Sequence, residues 1–109
     1  MAAPVNPARG EVALVIDGHQ RTLRLTLGAL AGLEARLQAD SLMALAERFD
    51  EGQVGSTELI ALLAAGLVGA AEPVDEEALA QARIEGGAVA ALRAGIELLA
   101  QAFQPFQPE

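Results

Sequence analysis

His19 is the only histidine in the chain and the only side chain whose ordinary pKa lies near neutrality, so any histidine-based acid–base mechanism would have to use it. It follows directly on Asp17-Gly18, a pair that favours the tip of a hairpin, where no pocket is expected. A triad would also need a positioned nucleophile. Ser41 and Ser56 are the serines on offer, and each stands where a helix N-cap is expected. Carboxylates come in two short runs, Asp50-Glu51 and Asp75-Glu76-Glu77. Consecutive helical residues point about 100° apart, so neither run converges on one cation without ligands from elsewhere. The glycines of Gly52-Gln53-Val54-Gly55 lack the lysine of a phosphate-binding loop, and Gly86-Gly87 follows no strand. The chain holds no cysteine and no lysine, which removes thiol nucleophiles, disulfides, Cys/His zinc sites and Schiff-base chemistry. No catalytic, metal-ligating or cofactor-binding residue is therefore singled out, and no cofactor is expected.

The elements that would position these residues follow from periodicity. Residues 1–10 carry Pro4 and Pro7 and read as an extended lead-in. A single domain is expected over 11–103, with a β-hairpin over 11–27 and helices from 28 onward. Glu11 to Ile16 is β-branched and aliphatic, Asp17-Gly18 forms the turn, and Arg21 to Leu27 alternates polar with apolar. Leu23, Leu25 and Leu27 would share one face and pack on helix residues such as Leu30 and Leu33. From Leu27 the period becomes helical through Leu30, Leu33 and Leu37, with Thr26 as N-cap. Asp40-Ser41 would cap a second helix carrying Leu42, Leu45, Ala46 and Phe49, and Ser56 a third with Leu59, Leu62, Leu63 and Leu67 on one face. After a loop containing Pro73, acids open a fourth helix where the macrodipole favours them, and this helix would run to Glu85-Gly86-Gly87. A last helix would bury Val89, Leu92, Ile96, Leu99 and Phe103, with Arg93 and Glu97 paired at i,i+4. Residues 104–109, with two prolines, form a tail. The expected class is α+β: an N-terminal β-hairpin followed by four to five short helices in one compact domain.

Composition bounds the partners. The 109 residues carry a formal charge of −8, with −2 in residues 1–54 and −6 in residues 55–109. Such a chain repels nucleic acid and anionic lipid alike. The longest apolar run, Leu59 to Val68, is half of the about 20 residues a bilayer requires, and Met1 to Gly10 lacks a signal-peptide core. A cytoplasmic protein is expected. Of its residues 52% are hydrophobic but only 3% aromatic, so aliphatic packing must build the core. Scarce chemistry beside abundant amphipathic helix suits a binding or assembly module better than an enzyme.

Several stretches together carry a family resemblance: Arg9 to Leu14, Ile16-Asp17-Gly18, Leu23 to Leu30, Leu33-Glu34, Asp40-Ser41-Leu42, Ala46 to Phe49, Leu62 to Leu67, Ile84 to Gly87, and Leu98 to Phe103. In this order and spacing the chain resembles the gene transfer agent family of small phage-tail proteins. The resemblance implies a non-enzymatic tail-assembly chaperone of a phage-like gene transfer agent, holding the tape-measure protein, and in contact with tail tube protein, before the tube polymerises. It could form a homo-oligomer on that partner. The alternative it implies is a structural, tube-associated component of the particle, and a small regulatory or ligand-binding domain is a further alternative.

Overall fold

The computed structural model describes residues 10–38, 42–51 and 55–103. Two strands, β1 (Val12–Ile16) and β2 (His19–Leu23), pair antiparallel in the register Val12↔Leu23, Leu14↔Arg21, Ile16↔His19. Asp17 and Gly18 both take positive φ, +52° and +80°, as a two-residue turn matched to strand twist requires. Five helices follow: α1 (Leu27–Leu37), α2 (Leu42–Asp50), α3 (Ser56–Gly69), α4 (Glu76–Gln81) and α5 (Gly87–Phe103). The α+β architecture expected from the sequence is the one observed.

The hairpin is shorter than expected. It ends at Leu23, because the Thr26 side chain accepts a hydrogen bond from the Ala29 N–H at 3.0 Å and starts α1 there. Leu27 thus becomes the first residue of a helix and is 84% exposed, instead of completing a face with Leu23 and Leu25. The buried hairpin face is Val12, Leu14, Ile16 and Leu23. Leu25 is partly buried and touches both halves of the core.

The core has two lobes joined at α3. One gathers the hairpin face with Leu63, Leu67, Leu79, Ala91, Ala94 and Leu98; the other gathers Leu33, Phe49, Ala61, Leu62 and Leu99. Helix α3 touches α1, α4, α5 and β2, and its buried residues Ala61 to Ala64, Gly66 and Leu67 run round much of its circumference. A helix apolar on most sides belongs inside. Its spacing to α5 is set by two glycines: a Cβ on Gly66 would lie 2.9 Å from Leu98 Cδ1, and one on Gly95 3.0 Å from Leu59 Cδ1 and from Leu62 Cδ2. Side chains of one helix occupy the space left by the glycine of the other.

That close approach decides which side of α5 is inward. Ala91, Ala94, Gly95, Leu98 and Leu99 are buried, whereas Val89 is 67% exposed, Ile96 is 37% exposed and Leu92 is half-buried. The expected stripe of Val89, Leu92, Ile96 and Leu99 is therefore rotated, because small residues let α5 draw nearer to α3 than a row of branched side chains would. The Phe103 side chain lies outside the described residues.

Three further expectations are corrected. Ser56 is not a cap: Gly55 holds the N-cap position of α3, and the Glu58 carboxylate accepts a hydrogen bond from the Gly55 N–H at 3.0 Å. A glutamate three residues into the helix satisfies the exposed donor in place of a hydroxyl. Helix α4 ends at Gln81 and does not reach Glu85. There Ile16 and Ile84 instead form an antiparallel bridge, flanked by Asp17 N–H to Arg83 carbonyl (2.8 Å) and Glu85 N–H to Val15 carbonyl (3.1 Å). Arg93 and Glu97 form no ion pair. The expected Asp40-Ser41 cap, the Gly52-Gln53-Val54 glycine stretch and the tail over 104–109 lie outside the described residues.

Candidate interaction surface

The sites weighed in the sequence do not converge. His19 is exposed at the start of β2. Among the described residues no group of three His, Asp or Glu side chains could hold a metal ion. Asp17 has a structural task that its turn position alone did not reveal: its Oδ1 accepts a hydrogen bond from the Arg83 N–H at 2.9 Å. Together with the Asp17 N–H to Arg83 carbonyl bond, this ties the hairpin tip to the connector between α4 and α5. Asp75 is the N-cap of α4 but makes no side-chain capping bond. Glu76 is paired with Arg36, Nη2 to Oε1 at 3.1 Å.

Arg21 shares the inward side of the hairpin with Leu14, its partner across the ladder. Its Nη1 lies 3.8 Å from Glu72 Oε1, and its Nε is buried without a hydrogen-bond partner among the described residues. An arginine stem covering apolar surface while its head seeks water fits this arrangement.

What the fold presents instead is concave and convex apolar surface. A cleft of about 660 Å³ lies over α3, with α1 on one side and the stretch leading into α4 on the other. Gly28, Ala29 and Gly32 line the α1 wall, Ala61, Ala64, Ala65 and Val68 the floor, and Pro73 and Val74 the far wall. The Arg36–Glu76 ion pair joins the two walls, since both residues line the cleft. A smaller hollow of about 230 Å³ lies between β1 and α5, with Arg93 and Glu97 among its lining residues. Outside the cleft, Val89 and Ile96 on α5, Met43 on α2 and Leu27 on α1 are large apolar side chains left in solvent, and Val68 on the cleft floor is exposed as well. Among the described residues no helix is long and apolar enough to cross a membrane. The sequence singles out no partner-binding residue, because small residues such as Gly28, Gly32 and Ala65 give the same signal whether their face is filled or open.

Fold and surface together define a small helical domain with an N-terminal hairpin, whose prominent features are an apolar cleft and unburied aliphatic side chains. Over residues 9–105 the chain matches the protein family described as phage tail tube protein, GTA-gp10, and it belongs to that family. No curated protein and no solved structure matches it. The family expected from the sequence is thus the one found, with a tail-related structural role; the chaperone subtype is a separate matter.

Proposed function

We propose that the protein is a small structural component of the tail of a phage-like gene transfer agent, acting through protein contacts and catalysing no reaction. Family membership across residues 9–105 is the observation that carries this reading. The aliphatic side chains exposed on α1, α2, α3 and α5 support it, because apolar side chains left in solvent suit burial against other subunits. The subunit is made in the cytoplasm of the producing cell and enters the particle there.

One observation favours a second reading, a tail-assembly chaperone that holds the tape-measure protein and leaves before completion. The described residues contain one two-stranded hairpin and one isolated bridge, whereas closing a tube from sheets calls for a wider sheet in each subunit. Quantitative mass spectrometry of purified particles separates the readings. A structural component is present at a fixed ratio to the other tail proteins. Absence from finished particles, together with a tape-measure protein that stays soluble only when co-expressed with this chain, would replace the structural reading with the chaperone one.

A further inference from the structure

We infer that the cleft between α1 and the stretch leading into α4 is a docking site for an apolar helical segment flanked by basic side chains, contributed by a different protein. This deepens the tail reading by giving the chemistry of a partner. The shape comes first. The floor residues Ala61, Ala65 and Val68 recur at helical spacing, so the trough runs along α3 for about 10 Å, or two turns at 1.5 Å per residue. Its α1 wall ends in hydrogen or methyl at Gly28, Ala29 and Gly32, and a Cβ built on Gly32 meets no atom within 4 Å. No large side chain among the described residues fills it, and a segment that brings such side chains would seat there as in helix-in-groove recognition.

Charge selects the occupant. The rim carries Asp75, whose carboxylate has neither a capping bond nor an ion pair among the described residues. Beside it, Glu76 is held by Arg36 across the cleft, with both side chains substantially exposed. An exposed pair of this kind is weak and exchanges readily for another cation. An incoming arginine or lysine finds the Asp75 carboxylate without an ion pair among the described residues, and the two acids outnumber the single Arg36 on the rim. A second copy of this chain is a poor occupant. It brings a charge of −8 against −8 and has no lysine, so self-docking sets like charges together.

Fluorescence anisotropy with two labelled helical peptides tests this. One has an alanine/leucine face flanked by arginines, and its twin carries glutamates in their place. The arginine peptide is expected to bind at micromolar concentrations, and the twin at least tenfold more weakly. Asp75→Asn should shrink that preference, and Gly32→Leu, which fills open space, should abolish binding while the folded signal by circular dichroism is kept. Equal affinity for the two peptides, no binding of either, or binding undiminished by Gly32→Leu would each overturn the inference. So would dimers in sedimentation velocity that Gly32→Leu dissolves, since the occupant would then be a second copy. None of these results touches the particle stoichiometry on which the tail reading stands.

Discussion

Changing Gly69 to alanine tests the packing of the chain against itself at its tightest point. By helix propensity alone, alanine in place of a helical glycine adds up to about 1 kcal/mol of stability. Gly69 closes α3 where the segment after β2 crosses it, and a Cβ there would lie 1.9 Å from the Arg24 carbonyl oxygen and 3.0 Å from the Arg24 carbonyl carbon. No side-chain rotation relieves a contact with backbone. The segment must move by about 1.5 Å for the 1.9 Å approach to become ordinary van der Waals contact, which begins at 3.4 Å. That movement breaks or stretches the bond from the Arg24 N–H to the Gly66 carbonyl, now 2.8 Å long. A lost hydrogen bond contributes about 1 kcal/mol and overpacking about 1–3 kcal/mol. Against the propensity gain, Gly69→Ala should lose about 1–3 kcal/mol, or roughly 5–20 °C in Tm for a domain of this size. Gly32→Ala in the middle of α1 is the control, because no atom lies within 4 Å of the added Cβ and propensity alone should act. Thermal and urea unfolding followed by circular dichroism measure both. If Gly69→Ala proves as stable as Gly32→Ala, the segment does not cross α3 there and the reasoning fails.

Other substitutions follow from the same contacts. Ala71 sits at φ +62° in the turn that ends α3, where the Glu72 N–H reaches the Leu67 carbonyl and the Ala71 N–H the Val68 carbonyl, so Ala71→Gly should raise stability by about 1 kcal/mol in urea titrations. Asp17→Ala removes both an acceptor for the Arg83 N–H and a residue tolerant of positive φ, and should cost about 2 kcal/mol; Asp17→Asn, which keeps both, should retain most of that in the same assay. His19→Ala should leave the urea midpoint within about 0.5 kcal/mol of the parent, its side chain being exposed at the end of the hairpin.

The local features of the fold were legible because each is written in a few adjacent residues. Asp17-Gly18 specifies its turn by backbone conformation, and Thr26 specifies the start of α1 by a hydroxyl in reach of the Ala29 N–H. The orientation of α5 was not legible in the same way. Its sequence offers two apolar stripes, one of small residues and one of branched ones, and the choice rests on how near α3 can come. That distance is set by Gly66 and Gly95, 29 positions apart in the chain. The Ile16–Ile84 bridge was equally hidden, since a single bridging residue leaves no alternation to detect. For the cleft, the sequence showed small residues on α1 and α3 but not that the stretch leading into α4 would stand off from them.

The bridge at Ile84 also bears on how the chain is made. β1 precedes the other described elements in the chain, and its sequence, Val12-Ala13-Leu14-Val15-Ile16, is among the most aggregation-prone kinds of strand. β2 protects one edge as soon as the hairpin closes, but the end of the other, from Val15 to Asp17, waits for Arg83 to Glu85. Until the residues through Glu85 have left the ribosome, the nascent protein therefore carries an open, aliphatic β edge. A chain cut short before Ile84 would keep that edge permanently, so premature termination should yield sticky fragments rather than merely unstable ones.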